Sequence, residues 1–343
     1  MTHSWLGTRV RAMSGAAALL LATLGTAPIA AHAASITLYS AQHEQVVNML
    51  AKDFEKQTGV SVKIRTGEGP ALAAQLVAEG AASPADVYFT ENSPELMLLE
   101  EKGMLGKVDA ATLAAVPARF DSPTGAWVGV TARENVLAYN TAKLKPAQLP
   151  QSLFDLAKPQ WKGKVGIAPS DGDFLPLVSA VIALKGEAAT LDWLKGLKAN
   201  SQIFDDDEGV VAAVNRGAVE TGIINNYYWA RLNAEIGDKS TRSALYHFTN
   251  GDAGALVNVS GAAILKSAHN EADAQKFLAY LVSERAQTLL AKSHVDFEYP
   301  LHAGVAPDPI LKPFSELTPP SLTVQQLGDD SKAGDLLRQA GLL

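Results

Sequence analysis

The stretch SITLYSAQHEQVVNMLAKDFEKQTGVSVKIR, residues 35–65, has the pattern of a strand, a helix and a second strand. Residues 35–39 form a short β-like run, and residues 60–65 alternate in polarity. Apolar residues between these runs recur at helical spacing on one face: Val46, Val47, Leu50 and Phe54. Gly59 is a residue at which such a helix ends. The stretch therefore predicts a β-α-β unit.

The same alternation continues along the chain. Further strand-like runs lie at 86–89, 165–167 and 222–225. Helical spacing recurs at 70–79, 94–101, 174–184, 188–198, 207–216, 228–236, 272–282 and 284–292. This order predicts an α/β fold with largely parallel sheets. A chain of 343 residues has the length of about two domains, and it shows no linker. We therefore expect two lobes between which the chain crosses more than once.

The amino-acid composition excludes several kinds of functional site. Of the residues, 47% are hydrophobic, which is typical of a globular protein, and none is cysteine. The absence of cysteine excludes disulfides, thiolate metal sites and catalytic thiols. The chain also has no G-x-S-x-G, H-E-x-x-H or P-loop motif. Any metal must therefore be bound by oxygen and nitrogen atoms, and the sequence indicates no enzyme.

The first 33 residues have the pattern of a secretory signal peptide. Arg9 and Arg11 precede the apolar run AMSGAAALLLATLGTAPIAA, and Ala31-His32-Ala33 fits a cleavage site. A membrane anchor is the alternative, which the shortness of the run disfavours. Loss of residues 1–33 would change the formal charge from −7 to −9, because it removes two arginines and no acid. We expect a secreted acidic chain that does not bind nucleic acid.

Candidate ligands follow the predicted strands. In α/β sheets, ligands bind at the carboxyl ends of strands, which here are followed by residues 40–44, 90–92, 168–173 and 226–229. The reactive side chains in these segments include His43, Glu91, Tyr227 and Tyr228. Each alone is typical of a surface or core residue. Together, two phenols, a carboxylate and an imidazole suit a hard trivalent cation, for which ferric ion is the natural match.

Several motifs resemble one known family. They are Ile224-Asn-Asn-Tyr-Tyr-Trp229, Ser83-Pro-Ala-Asp-Val-Tyr88, Tyr39-Ser-Ala-Gln-His43, Pro159-Gln-Trp-Lys-Gly163, and Gly254-Ala-Leu-Val with Ser260-Gly-Ala-Ala-Ile-Leu-Lys266. From about residue 35 onwards, the chain resembles the periplasmic ferric-ion-binding proteins of ABC importers, the bacterial transferrins. The resemblance implies a two-lobed periplasmic-binding-protein fold with a hinge and a central ligand cleft.

The resemblance also implies a lobe assignment and a ligand set. The first lobe would comprise residues 34–133 and 258–305, and the second lobe residues 134–257 and 306–343. The crossings would lie near Arg133 and residues 257–261. His43 and Glu91 would bind iron from the first lobe, and Tyr227 and Tyr228 from the second lobe. The implied function is a monomeric periplasmic protein that delivers ferric ion to the membrane permease of an ABC importer.

One segment departs from the family pattern. Many relatives complete the iron shell with an anion, often phosphate, held by a turn at a helix N-terminus and by asparagines. Here the turn is Ser170-Asp171-Gly172-Asp173, Asp207 replaces one asparagine, and Asn225 is retained. Carboxylates repel phosphate, so we expect phosphate to be disfavoured. Asp171 could complete the iron shell, or carbonate or another synergistic anion could bind near Arg133. Alternatively, Asp171, Asp173 and Asp207 merely cap helices.

Two other functions fit parts of the pattern. A binding protein of the same fold for a small organic cation, such as thiamine or a polyamine, could use Tyr227, Tyr228 and Trp229 as an aromatic cage. His43 and Glu91 argue against that alternative. A secreted iron enzyme would need an open coordination position and a base beside a substrate pocket. Visible colour from phenolate-bound ferric ion separates iron binding from organic-cation binding, and turnover would indicate the enzyme.

Overall fold

A computed structural model of the chain describes residues 34–343. The predicted signal peptide, residues 1–33, lies outside this range. Within residues 34–343, no helix is both long enough and apolar enough to cross a membrane.

The described residues form an α/β structure. The strands are β1 (Ser35–Ala41), β2 (Ser61–Thr66), β3 (Val87–Thr90), β4 (Trp127–Asn140), β5 (Val165–Ile167), β6 (Ser201–Ile203), β7 (Thr221–Asn225), β8 (Ser243–Tyr246), β9 (Val257–Ile264) and β10 (Tyr299–Pro300). The helices are α1 (Glu44–Thr58), α2 (Gly69–Glu79), α3 (Ser93–Glu101), α4 (Ala110–Leu113), α5 (Phe174–Lys185), α6 (Glu187–Asn200), α7 (Asp207–Asn215), α8 (Asn226–Ile236), α9 (Glu271–Leu281), α10 (Glu284–Lys292), α11 (Val324–Leu327) and α12 (Ser331–Ala340).

The predicted β-α-β unit is confirmed. Strands β1 and β2 pair in parallel, and α1 connects them. The helix ends at Gly59, which adopts a left-handed conformation with φ of 72° and donates its N–H to the carbonyl of Glu55. Glycine reaches this conformation without the steric cost that a Cβ atom imposes. The helix begins directly after His43, so that residue stands between a strand end and a helix start.

The sheet is mixed, so the expectation of largely parallel sheets is wrong for its middle. The strand order is β2-β1-β3-β9-β4-β7-β5-β6, with β8 and β10 also paired to β4. Parallel pairs occupy the two outer parts, where helices connect the strands. In the middle, β4 and β9 pair antiparallel with each other and with their other neighbours. The chain thus passes between the two outer parts of the sheet along the strands β4 and β9, and not through a helix that connects parallel strands.

Strand β4 belongs to both halves of the sheet. Its first part, up to Glu134, pairs with β9, while its second part, from Asn135, pairs with β7 and β8. All residues of β4 except Tyr139 are buried, including Arg133, Glu134 and Asn135. Buried charged groups must be paired or hydrogen-bonded. These polar residues lie at the point where β4 stops pairing with β9 and begins to pair with β7. Buried polar interactions are therefore expected in the middle of the sheet.

Two apolar clusters form the core, and the larger one extends from the first half of the sheet to α7 and α8 of the second half. The larger cluster includes Phe54, Trp127 and Phe277, and the smaller one includes Trp161, Trp193 and Leu337. The C-terminal segment reaches both, because Phe314 packs against Phe120 and Tyr299 with ring centroids 5.8 and 5.1 Å apart, whereas Leu337 lies in the smaller cluster. The ring contacts of Phe314 favour a first-lobe position for the beginning of this segment. The lobe boundaries given above stay a prediction.

Candidate metal-binding site

One cavity of about 680 Å³ brings together most of the predicted site residues. Its walls form where β1 leads into α1, where β3 leads into α3, and at the turn before α5. The predicted residues on its wall are His43, Glu91, Asp171, Gly172, Asp173 and Tyr228. Tyr227 lies directly beside them, with its ring centroid 5.2 Å from that of His43. Arg133, Asp207 and Asn225 do not line the cavity but support residues that do.

His43 presents one ring nitrogen to a partner and one to none. Its Nδ1 lies 3.1 Å from Oε1 of Glu91, whereas its Nε2 is buried without a hydrogen-bond partner in the described residues. Burial, followed by the positive charge of Arg231, lowers the pKa of His43 to about 4. The imidazole is therefore neutral at physiological pH. A neutral, unpartnered ring nitrogen is the form of histidine that binds metals.

Glu91 faces His43 from the end of β3. Burial raises the pKa of Glu91 well above its ordinary value of 4.5, and the negative charge of Asp173 raises it further. The backbone carbonyl of Glu91 accepts a hydrogen bond from the guanidinium of Arg133. Arg133 of β4, the strand that belongs to both halves of the sheet, thus holds the main chain at Glu91, while the carboxyl group of Glu91 faces the imidazole of His43.

Tyr227 and Tyr228 occupy the first turn of α8, directly after β7. Their rings lie with centroids 4.2 Å apart, and both hydroxyls point to one atom, Oδ2 of Asp173, at 2.6 Å from Tyr227 and 3.4 Å from Tyr228. Burial, and then the charge of Asp173, raises the pKa of both phenols well above 10. Without a metal, both phenols keep their protons at neutral pH.

Asp173 is the centre of the polar network. Its Oδ1 accepts hydrogen bonds from Nη2 of Arg133 at 3.1 Å and from Nδ2 of Asn92 at 3.3 Å. Burial opposes ionisation, but the Arg133 guanidinium and the Tyr227 hydroxyl hold the pKa of Asp173 below its ordinary value. Arg133 is itself buried and also lies 3.6 Å from Oε1 of Glu298. The carboxyl groups of Asp173 and Glu298 therefore flank the buried positive charge of Arg133.

Sequence reasoning missed two members of this network. Asn92 donates to Asp173 and accepts hydrogen bonds from Arg133 and Asn258. Glu298 pairs with Arg133, although it lies far along the chain from the other site residues. The position of Asn92 just after strand β3 could have indicated that it belongs to the site. For Glu298, only the spacing of Asp296 and Glu298 on one face before β10 could have indicated a buried acidic pair.

The acidic turn binds the chain's own helix starts. Asp171 accepts the backbone N–H of Asp173 through Oδ1 and that of Asp207 through Oδ2, both at 3.0 Å. Asp207 accepts the backbone N–H of Asn225 at 3.1 Å. Burial, and then the charge of Asp173, raises the pKa of Asp171 to about 6. The amides at the starts of three helices are thus already occupied by carboxylates of the chain.

The helix-cap alternative fits these residues only in part. The side chain of Asp173 makes no capping bond to α5 and turns to Arg133 and Tyr227 instead. Helix α7 is capped by Asp206, which accepts the N–H of Gly209 at 2.6 Å, and not by Asp207. Gly172 faces the opposite wall, because a Cβ atom there would lie 3.9 Å from Nδ2 of Asn92.

The cavity is strongly acidic. None of its lining residues is lysine or arginine, and eight are acidic: Glu44, Glu68, Glu91, Glu95, Asp171, Asp173, Asp205 and Asp206. A cleft lined by one sign of charge concentrates counter-ions. Within residues 34–343, no group of three or more histidine, aspartate and glutamate side chains is placed to hold a metal. A metal in this cavity would therefore need oxygen from the two tyrosines as well.

Comparison with known proteins shows the family of the chain. Residues 82–316 match the family model described as bacterial extracellular solute-binding protein. The chain is 42% identical over 308 residues to the Fe(3+)-binding periplasmic protein of Serratia marcescens, covering 90% of each chain. It is 38% identical over 332 residues to the major ferric iron-binding protein of Neisseria meningitidis serogroup B, covering 95% of this chain and 98% of the relative.

Solved structures agree in fold. The iron-bound HitA structure from Pseudomonas aeruginosa superposes with a TM-score of 0.86 at 45% identity, covering 90% of this chain and 99% of the other. A Trichodesmium protein in complex with iron and citrate superposes with a TM-score of 0.79 at 32% identity, covering 90% of this chain and 99% of the other. The predicted two-lobed fold is confirmed by these neighbours. The chain belongs to the bacterial extracellular solute-binding protein family.

Proposed function

We propose that the protein binds one ferric ion in the acidic cavity between its two lobes and delivers it to the membrane permease of an ABC importer. The observation that carries the proposal is the convergence of the two tyrosine hydroxyls on Asp173, together with the Nε2 of His43, which is buried and has no hydrogen-bond partner among residues 34–343. An organic cation would use the rings as a cage, but here the hydroxyls converge on a carboxylate, and the ring of His43 lies 5.2 Å from that of Tyr227. The names of the relatives support the same cargo.

The proposed ligands are His43, Glu91, Tyr227 and Tyr228. Ferric ion prefers hard oxygen donors, and imidazole is also a suitable ligand for it. Binding displaces the phenol protons, because the metal's positive charge favours phenolate. Asp173, which holds both hydroxyls in the metal-free protein, is placed either to enter the iron shell or to keep the phenolates aligned.

We further propose that external phosphate takes no part in binding. The amides of Asp173, Asp207 and Asn225, which could have held an anion, already bind carboxylates of the chain. Arg133 is paired with Asp173 and Glu298. Carbonate or another small anion near Arg133 stays the alternative to a shell completed by Asp171 or Asp173.

The biological setting follows from the same proposal. Residues 1–33 would direct export to the periplasm, where the mature chain acts as a monomer. The lobes would comprise residues 34–133 with 258–305, and 134–257 with 306–343, and the start of this last segment would pack on the first lobe through Phe314. The role is one of binding and release rather than catalysis, since the relatives are solute-binding proteins.

A spectroscopic titration tests the proposal. Apo-protein would be titrated with ferric citrate while its visible spectrum is recorded, with and without phosphate. We expect a visible band from phenolate-to-iron charge transfer that saturates at one iron per chain. A saturating titration without a visible band would remove the tyrosines from the shell, and no saturation would refute ferric binding.

A further inference from the structure

The residue before the two tyrosines makes contacts that the proposed iron shell does not use. Asn226 is the first residue of α8 and is completely buried, with 0% of its surface exposed. Its Oδ1 accepts the backbone N–H of Glu134 at 2.8 Å, and its Nδ2 donates to the carbonyl of Phe297 at 3.3 Å. One side chain therefore joins three segments that are distant in sequence.

The partners of Asn226 lie at the crossover between the halves of the sheet. Glu134 is the last residue of β4 that pairs with β9, opposite Val257, and the next residue pairs with Asn225 of β7. Phe297 belongs to the larger apolar cluster and precedes Glu298, which lies beside Arg133. Asn226 thus connects the start of the tyrosine helix to the crossover strand and to a segment assigned to the first lobe.

This connection constrains both the tyrosines and the crossover. A buried amide that loses its partners is costly, so the two hydrogen bonds hold the start of α8 in register with Glu134 and Phe297. Tyr227 and Tyr228 follow Asn226 within the same helical turn. A change in the twist of β4 would therefore move the phenol oxygens. A shift of the phenol oxygens on metal binding would likewise act on β4.

We infer that Asn226 is a positioning residue that couples lobe closure to the placement of the two tyrosine oxygens. This inference rests on the proposed function, in which those oxygens bind ferric ion. Asn226 itself does not touch the metal. Through its hydrogen bond to Glu134, Asn226 makes the positions of the two tyrosine oxygens depend on the conformation of β4.

A second buried asparagine provides a matched control. Asn200, at the end of α6, is 4% exposed, and its Nδ2 donates to the carbonyls of Leu156 at 2.8 Å and Lys158 at 2.7 Å. These contacts lie away from β4 and from the cavity. Asn200→Ala and Asn226→Ala remove the same chemical group from similar burial, so a purely structural role predicts the same consequences for both.

The experiment compares full-length mature wild type, Asn226→Ala and Asn200→Ala. The readouts are urea unfolding, iron affinity by chelator competition, the wavelength of the visible band, and the radius of gyration of apo and iron-loaded protein. We expect both variants to lose stability. Only Asn226→Ala should also lose about tenfold or more in iron affinity, shift the visible band and contract less on iron loading. Asn226→Ser, which keeps a neutral polar side chain and buries no charge, should show smaller losses and remains testable should the alanine variant not fold.

Equal iron affinity, band position and contraction in Asn226→Ala and Asn200→Ala would overturn the inference. Failure of the proposed function would look different, because the wild type itself would then bind no ferric ion. In that case, the radius of gyration of the apo-proteins still decides the question. A change confined to Asn226→Ala would support the coupling, and no difference from Asn200→Ala would refute it.

Discussion

The hydroxyl of Tyr227 donates a 2.6 Å hydrogen bond to Oδ2 of Asp173, an ionised carboxylate that also pairs with Arg133. Tyr228 reaches the same oxygen from 3.4 Å. In the metal-free protein, Asp173 therefore holds together the oxygens that we propose as iron ligands. Hydrogen bonds to charged groups stabilise proteins by about 1.5–3 kcal/mol.

Removing either phenol oxygen should weaken iron binding. Tyr227→Phe and Tyr228→Phe each delete one anionic ligand and keep the ring, so we expect at least about a tenfold loss of affinity, which corresponds to about 1.4 kcal/mol. The visible band should also weaken or shift. Because Tyr227 makes the shorter bond to Asp173, its variant should destabilise the apo-protein more. Chelator competition and urea unfolding measure the two effects.

Tyr280→Phe is the matched control for the tyrosine variants. Its hydroxyl donates to Asp53 at 2.9 Å, away from the cavity. This variant should lose stability but keep its iron affinity and its band. Unchanged iron binding in both Tyr227→Phe and Tyr228→Phe would remove these residues from the site.

Iron binding should release protons. The raised pKa values of Tyr227 and Tyr228 mean that both phenols hold their protons at neutral pH, whereas His43, with a pKa of about 4, does not. Burial also raises the pKa of Glu91 above its ordinary value. Metal binding must displace those protons. The affinity should therefore rise with pH, and iron should be lost as the solution becomes acidic.

Proton release can be counted directly. We expect about two protons per iron near pH 7, one from each phenol, measured in weakly buffered solution with a correction for ferric hydrolysis. Tyr227→Phe should release about one proton fewer than the wild type. Retention of iron down to about pH 3, which lies below the ordinary carboxyl range, would contradict a shell of His, Glu and Tyr.

Glu95 should make stability depend on pH. It lies buried in α3, in a crevice of about 250 Å³ that Asp330 also lines, and its Oε2 has no hydrogen-bond partner among residues 34–343. Burial, and then the charge of Asp330, raises the pKa of Glu95 to about 8, against 4.5 as its ordinary value. The unfolded chain therefore loses this proton at lower pH than the folded chain. The stabilising contribution is complete below about pH 4.5 and is lost as pH rises through about 8.

The test replaces the titrating group with a neutral one. Glu95→Gln should flatten the decline in unfolding free energy between pH 5 and 8, an effect on the order of a few kcal/mol, since each pKa unit corresponds to about 1.4 kcal/mol. Glu101→Gln, at the exposed end of the same helix, is the control and should leave the profile unchanged. Parallel profiles for wild type and Glu95→Gln would show that Glu95 ionises normally.

The sequence predicted the residues at strand ends better than the middle of the sheet. The helical spacing of Val46, Leu50 and Phe54 predicts a helix that ends at Gly59, and α1 lies at Glu44–Thr58. Helix α8 was expected from residue 228 but begins at Asn226, because a run of asparagine and aromatic residues carries a weak helix signal. Strand β4 was not predicted, since Arg133, Glu134 and Asn135 interrupt its apolar pattern. Those residues are buried because they bind partners from both halves.

Some residues of the candidate site could likewise be predicted from the sequence, and others could not. His43, Glu91 and Tyr228 share one cavity, as expected for residues that follow strands. The central position of Asp173 was not predicted, because it depends on Arg133 and Asn92, which approach Asp173 only in the folded protein. Local patterns identify groups at the ends of elements. They do not identify which group will balance a buried charge supplied by a distant segment.

The last prediction concerns Asp171, whose two carboxylate oxygens bind the backbone amides of Asp173 and Asp207. Helix starts attract anions because their free N–H groups and dipoles are positive. Here Asp171 occupies that position, so phosphate would have to displace it and also approach Asp173. Two like charges about 4 Å apart repel by roughly 4 kcal/mol at an effective dielectric of 20. Wild-type iron affinity should therefore be nearly insensitive to phosphate.

Asp171→Ser frees both amides and removes one negative charge, so phosphate should then strengthen iron binding or at least oppose it less. Should Asp171 be a ligand, the variant will also bind iron more weakly in phosphate-free buffer. Asp205→Ser is the matched control, because Asp205 is an exposed acid on the rim of the same cavity. Iron affinity is measured for all three proteins from a chelator-buffered source, with and without phosphate. Much tighter binding by the wild type in phosphate would contradict the repulsion, because the amides held by Asp171 would then be accessible to an external anion.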